Sequence, residues 1–449
     1  MYYKLNKRDN KPQETKRDES EARRQLQEIN KQHLNKTQSN NIHSIKTTII
    51  KRKGENKMNI GEKKIARPFR WGIVGGGRTS QVGYKHRLGA RMDNTNFDLQ
   101  AAAFDIDADR CVDFGKALNM DPERLYPDYK TMFAKEAERE DGIEVVDIAT
   151  PNFQHYEVCK AALEAGLHVI CEKPLFFEVE QGLEIKKLAE EKGKVVCVTY
   201  GFSGFPMLLQ MRAMVQSGML GKINMVDLRY AHGFGCNAEA DVKAEGQKWR
   251  VDPAKVGKSF VLGDLSTHTF YMSQLICPDL KLKQVLCDRQ AFVGSRYPLE
   301  DNAYVLMRYE SGAVGRMWAS AVNAGDMSSQ HIRIVGSKAS LEWNDQTCDQ
   351  LRYEVQGQPA QILTRGMDYL DGLAQEDERL GALHYEGLPE SWANLYTRFA
   401  QVIDAKNRGD EETVNSIIYP DLDHGIDGIR WINSCAKSAD EGAVWVDFE

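Results

Sequence analysis

Phe69 to Gly83 reads FRWGIVGGGRTSQVG, and this stretch decides the fold. Arg70 to Val74 is apolar enough for a short buried strand, and Gly75, Gly76 and Gly77 follow as a turn. Val82, Leu88 and Met92 then recur at helical spacing, which predicts a helix from about Ser80 to Arg91. Strand, glycine turn and helix is the context in which Gly-x-Gly marks a dinucleotide-binding turn. Gly75 permits the tight turn, and Gly77 lets the backbone approach a pyrophosphate. The helix N-terminus offers that phosphate unpaired N–H groups and a positive dipole end. Arg78, Thr79 and Ser80 complete the expected phosphate contact. Ser80 stands where the fingerprint has its third glycine or alanine, and it is small enough for a helix to pack closely on the strand.

The next strand, Leu99 to Phe104, ends at Asp105. A carboxylate there is placed to accept hydrogen bonds from the adenosine ribose hydroxyls and to repel a 2′-phosphate. NAD is therefore expected over NADP, with Arg110 close enough to soften the preference and leave NADP possible. Asp105 is otherwise an N-cap for the helix from about Ala108 to Leu118, a task Asp107 can perform instead.

Outward from this core the chain divides unevenly. Residues 1–65 hold 17 Lys and Arg against 8 Asp and Glu, so the remainder carries −15 of a net −6. The segment has little apolar periodicity and is expected to be a disordered basic extension. Lys53-Gly54-Glu55 is encodable as a ribosome-binding sequence just before Met58, so a start at Met58, with residues 1–57 as leader, is the expectation. The acidic body argues against nucleic-acid binding. No apolar run approaches a membrane span, and no signal core precedes it. The nine cysteines show no C-x-x-C pair, which fits a reducing cytoplasm and excludes a zinc knuckle. No His, Cys, Asp and Glu cluster has metal-ligand spacing, so no metal is expected.

From Phe69 strands and helices alternate, the pattern of a doubly wound parallel sheet. Ile143 to Ala149 is a buried strand closed by Thr150-Pro151-Asn152, and Leu167 to Cys171 is read as the fifth, with Glu172-Lys173-Pro174 at its carboxyl end. Val195 to Tyr200 is read as the sixth. After residue 200 long alternating strands dominate, including Asn224–Ala231, Lys283–Phe292, Ala303–Tyr309 and Ala313–Val322, with a helix at about Ser266–Ile276 and another at Asp423–Ala439. The expected architecture is α/β: a Rossmann domain over 66–200, and an α+β domain over 201–449 with a large, mostly antiparallel sheet for substrate binding and oligomerisation.

The glycine turn, Thr150-Pro151-Asn152 with His155, Glu172-Lys173-Pro174, and Gly263-Asp264 followed by His268 together resemble the Gfo/Idh/MocA family of NAD(P)-dependent oxidoreductases. The resemblance covers about residue 67 to the C-terminus. Trp249-Arg250-Val251-Asp252-Pro253 and Gly263 to His268 resemble its sugar and cyclitol branch. It implies a homodimer or homotetramer and a cis bond at Pro174. Lys173 lies beyond the carboxyl end of a strand, where ligands of open α/β sheets bind. An ammonium there can hold a substrate hydroxyl, steady an alkoxide and relay its proton, the role the family implies for it. Any lysine is otherwise a solvated surface residue. Asp264 and His268, four apart, share a helix face. Asp264 would orient a substrate hydroxyl, and His268 would exchange the proton with Lys173. Alternatively Asp264 is an N-cap and His268 an ordinary half-buried residue. Thr150, Asn152, His155 and Glu172 are expected at the nicotinamide ribose or amide, although His155 can equally cap or pack at a helix start. Tyr200, Trp249 and Arg250 are expected in the sugar pocket, although Trp249 suits a core as well.

These residues imply an NAD-dependent dehydrogenase that oxidises a ring secondary alcohol of a sugar, sugar derivative or inositol to a ketone. A redox glycosidase or lyase that recycles its cofactor is an alternative enzyme class. A non-catalytic NAD sensor is a third, against which the joint presence of Glu172, Lys173, Asp264 and His268 speaks.

Overall fold

A computed structural model describes residues 64–237, 245–326 and 329–449 of the chain. Most of the expected basic extension, and the start expected at Met58, lie outside the described residues. The described residues fall within one compact unit.

The first sheet is parallel, in the order β2-β1-β3-β4-β5. Its strands are β1 (Phe69–Gly75), β2 (Phe97–Ala103), β3 (Val145–Ala149), β4 (His168–Cys171) and β5 (Val196–Val198). Helices α1 (Gln81–Arg91), α2 (Ala108–Ala117), α3 (Tyr129–Ala137), α4 (His155–Glu164) and α5 (Val179–Lys192) connect them. This is the expected Rossmann pattern. Glu172 follows the fourth strand instead of the expected fifth, and Val196 opens the fifth instead of the expected sixth.

Close packing of α1 on β1 rests on a glycine the fingerprint does not include. A Cβ on Gly83 would lie 2.3 Å from the Cα of Gly76. Ser80 is instead the N-cap of α1, its hydroxyl accepting from Gly83 N at 3.1 Å.

The second sheet has nine strands in the order β13-β12-β11-β10-β6-β9-β8-β7-β14, antiparallel except for the β6/β9 pair. They are β6 (Ile223–Ala231), β7 (Leu282–Gln290), β8 (Asn302–Tyr309), β9 (Val314–Ser320), β10 (Gln330–Gly336), β11 (Ala339–Asn344), β12 (Gln350–Val355), β13 (Gln361–Thr364) and β14 (Val446–Asp447). Helices α6 (Pro206–Gln216), α7 (Thr267–Ile276) and α9 (Leu422–Asp440) contribute to the core against which this sheet packs. Its other face shows Met225, Tyr304, Leu306 and Val314 to solvent.

One long helix crosses the expected partition. Helix α8 (Leu388–Asn407) buries Trp392, Leu395, Tyr396, Phe399 and Ile403 in a core shared with Phe69, Trp71, Ile73 and Phe97 of the first sheet. Residues assigned from sequence to the second domain thus complete the core of the first.

Candidate active site

The turn after β1 is shaped for close approach. Gly75 and Gly76 have φ of 77° and 66°, a region side chains disfavour. A Cβ on Gly75 would lie 2.6 Å from Ala149 O, and one on Gly77 would lie 2.8 Å from Phe104 O. Thr150, beside Gly75, holds its buried hydroxyl without a protein partner. A bare-backbone turn, a helix N-terminus and an unpaired hydroxyl fit the pyrophosphate and ribose of a dinucleotide. Arg78, also at the turn, pairs with Asp113 at 2.6 Å, and Thr79 is exposed. Asp105 accepts from Arg110 Nη2 at 2.9 Å and from Asp107 N at 3.0 Å. Asp107 caps α2, so the Asp105 carboxylate has no capping task.

At the other end of the site, Lys173 follows β4 and the Lys173–Pro174 bond is cis. Its Nζ donates to Asp264 O at 2.6 Å and to Asp264 Oδ1 at 2.8 Å. Asp264 lies in a π-helical turn, Leu262–Ser266, that runs into α7; such turns recur at functional sites. Its N–H is bonded to Phe260 O, which overturns the N-cap alternative. Glu300 Oε1 braces this turn by accepting from Leu262 N at 3.0 Å and from the Ser259 hydroxyl, which itself accepts from Gly263 N. Burial would raise the Asp264 pKa, but the charges of Lys173 and Arg250 hold it well below the usual carboxylate range.

His268 is buried and ringed by Phe202, Tyr200 and Tyr230 at centroid distances of 5.0, 6.0 and 6.4 Å. Burial and the Lys173 charge push its pKa well below the ordinary value, so the ring is neutral. Its Nδ1 is sealed without a hydrogen-bond partner. Lys173 gives its hydrogen bonds to Asp264, and acts on His268 through the field of the site.

Behind Lys173 lies a buried ionic chain. Glu172 Oε1 receives the Thr199 hydroxyl at 2.5 Å and His86 Nε2 at 3.1 Å. The other ring nitrogen, Nδ1, is 2.7 Å from Asp147 Oδ2 and 2.6 Å from the Tyr396 hydroxyl, which also donates to Asp147. Burial alone would lower the His86 pKa, but the two carboxylates bring it up to about 9. Burial alone would raise Glu172, yet the His86 hydrogen bond and charge take it down to about 2.

Other expected site residues are placed differently. His155 is fully buried, with Nδ1 3.0 Å from Pro174 O and Nε2 3.0 Å from Thr150 O. Both ring nitrogens lie against backbone oxygens, so His155 ties the Lys173 loop to the end of β3. Tyr200 stacks on Tyr271 at 4.7 Å, its hydroxyl lies beside Gly428 of α9, and its ring meets His268 edge-on. Asn152 is buried, with one long contact of 3.5 Å to Val256 O. Trp249 and Arg250 are half-buried and stack at 4.9 Å, and Arg250 acts electrostatically on Asp264.

Four residues near the site were not expected from sequence. His86, Tyr396 and Asp147 come together only through the fold. Lys85, half-buried on α1, shares the field of Glu172, Lys173, Asp264 and Arg250, and burial lowers its pKa. Among the described residues no group of His, Cys, Asp and Glu could hold a metal, and no helix is long and apolar enough to cross a membrane.

Two family models match the chain. One, the oxidoreductase family NAD-binding Rossmann fold, covers residues 69–200, and the other, its C-terminal alpha/beta domain, covers 212–448. An uncharacterized oxidoreductase of Bacillus subtilis (strain 168), YfiI, is 66% identical over 389 residues, 87% of this chain and 99% of that protein. An inositol dehydrogenase homolog from Azotobacter vinelandii, complexed with NAD+, is 52% identical with a TM-score of 0.84, covering 86% of this chain and 99% of that one. A complex of an inositol dehydrogenase homolog with NADH and myo-inositol, from the same organism, is 52% identical with a TM-score of 0.82, at the same coverage.

Proposed function

The chain belongs to the Gfo/Idh/MocA oxidoreductase family and carries its NAD-binding Rossmann domain, and from that premise we propose that it oxidises a ring secondary alcohol of a cyclitol or sugar to the ketone. The double hydrogen bond from Lys173 to Asp264 carries this reading. It brings an ammonium from the nucleotide-binding half into contact with a carboxylate from the other half. Inositol and sugar dehydrogenase relatives support the substrate class.

NAD, when bound by Gly75, Gly77, Ser80, Asp105 and Thr150, supplies the hydride acceptor. Lys173 Nζ holds the reacting hydroxyl oxygen and steadies the negative charge that grows there. Asp264 aims Nζ and accepts from a neighbouring hydroxyl. His268 is neutral and has Nδ1 sealed, so Nε2 takes the hydroxyl proton and returns it in the reverse direction. Trp249 and Arg250 contribute an aromatic face and a donor fork to the polyol. A panel of cyclitols, sugars and glycosides assayed for NADH formation tests the reading. Activity on a polyol that is lost in Lys173→Ala supports it, and a fully active Lys173→Ala protein refutes it.

The exposed face of the second sheet, with Met225, Tyr304, Leu306 and Val314 in reach of one another, supports association with further copies of this chain through that face.

A further inference from the structure

The ionic chain behind Lys173 does more than fill a core. Asp147, His86, Thr199 and Tyr396 are wholly or almost wholly buried, and Glu172 is 6% exposed. Both Glu172 contacts, from Thr199 and His86, fall on Oε1, so among the described residues none donates to Oε2. His86 is clamped at Nδ1 by Asp147 and Tyr396, and the Trp392 ring meets it edge-on at 4.9 Å. The imidazole cannot rotate away from Glu172 or Asp147 without leaving a buried carboxylate only a neutral hydroxyl donor and no bridging cation.

We propose that His86 is a positioning residue: it bridges the Glu172 and Asp147 carboxylates and so presents Glu172 Oε2 as a fixed negative charge to the nicotinamide end of the cofactor. This rests on the reading that the nicotinamide end lies at Lys173. A fixed carboxylate there favours the cationic oxidised ring over the neutral reduced one, so the His86 chain sets the ratio of NAD+ to NADH affinity. Tyr396 and Asp147 orient the imidazole from the far side, in the manner of outer-shell partners that fix a histidine.

The charged and titratable groups facing the chain come from every neighbouring element. Lys85 and Arg87 lie on α1, and Cys171, Lys173 and His155 surround the end of β4. His268 comes from α7, Tyr200 from the end of β5 and Cys197 from β5 beside Tyr396. None of them bridges Glu172 to Asp147. With His86 in place Glu172 stays ionised down to about pH 2. In His86→Gln the amide keeps a hydrogen bond to Glu172 but removes the cation. The Glu172 pKa then rises, because a buried carboxylate has lost its main counter-charge.

The test measures the dissociation constants of NAD+ and NADH for the full chain between about pH 5 and pH 8, by calorimetry and by NADH fluorescence. The wild-type ratio is expected to be constant over that range. In His86→Gln, NAD+ affinity is expected to fall about tenfold towards pH 5 while NADH affinity holds, the size of roughly one pKa unit of coupling. A parallel, flat ratio in both proteins overturns the proposal. If His86→Gln does not fold, Tyr396→Phe keeps the ring packing and removes the hydroxyl that bonds Asp147 Oδ2 and lies on His86 Nδ1, loosening the clamp on the imidazole. The same fall with smaller amplitude is expected, and a wild-type ratio overturns the proposal. A wild-type chain that binds neither cofactor form removes the functional reading together with this inference, an outcome distinct from a flat ratio.

Discussion

Lys173 Nζ meets both the carbonyl oxygen and the carboxylate of Asp264, a residue 91 positions further along the chain and in the other half of the molecule. The relationship fixes the ammonium against the end of a π-helical turn that Glu300 braces from below. Replacing Lys173 by Met keeps the apolar stem and removes the charge. A loss of about 10³ in kcat is expected, within the 10²–10⁴ typical of a positioned acid or base, with NAD affinity little changed. Lys173→Arg is not expected to restore the rate, because a planar fork cannot reproduce a point donor. Initial rates of NADH formation and equilibrium NAD binding check both.

For His268, substitution by Gln preserves volume and one donor but ends proton exchange. A loss of about 10² in kcat with less than about threefold change in KM is expected. A rate equal to wild type across the pH range would remove His268 from the proton path.

The Gly76–Gly83 contact is the tightest of the nucleotide turn. Gly83→Ala places a methyl group 2.3 Å from a backbone atom, and overpacking of this kind costs about 1–3 kcal/mol. A lower unfolding midpoint and weaker NAD binding are expected together. Ser80→Ala removes the cap, about 1 kcal/mol of stability, together with the hydroxyl proposed to meet the cofactor. Denaturant titrations with and without NAD measure both.

Stability should carry a pH signature of the His86 chain. His86 has its folded pKa raised from 6.5 to about 9, so its contribution is complete below about pH 6.5 and is lost as pH rises towards 9. Glu172 is depressed from 4.5 to about 2, so its contribution is complete above about pH 4.5 and is lost as pH falls towards 2. Maximal stability is expected between these limits. The alkaline decline amounts to at most about 3 kcal/mol and should flatten in His86→Gln. Urea unfolding at pH 6 and pH 9 distinguishes the two.

Asp105, just past the end of β2, accepts from Arg110 and from Asp107 N, and is proposed to meet the adenosine ribose. Asp105→Ala removes the repulsion to a 2′-phosphate and keeps the Arg110 cation on α2. The ratio of kcat/KM for NAD over NADP is expected to fall by about tenfold or more, about 1.4 kcal/mol. An unchanged ratio would move coenzyme choice elsewhere.

Local patterns were legible where one stretch of chain does the work. The glycine turn, Lys173 at a strand end and Asp264 with His268 each lie in a short motif, and all are found at the expected ends of strands and helices. The roles of single side chains were less legible. His155 and Tyr200 have the chemistry of site residues, but backbone carbonyls claim one and Tyr271 the other. His86, Tyr396 and Asp147 carry no local signal, because their meeting is 249 residues long in sequence and is made by tertiary packing alone. The final helix of the first core escaped for the same reason: its apolar stripe does not say which of two sheets it covers.

Helix α8 gives the molecule a particular order of completion. Trp392, Tyr396 and Phe399 seal the β1–β3 face, yet the ribosome makes them after almost the whole second sheet. A nascent chain paused at residue 200 holds five strands with an open apolar flank and a histidine lacking its clamp. The nucleotide-binding half is therefore not an excisable module, and the two halves must mature together.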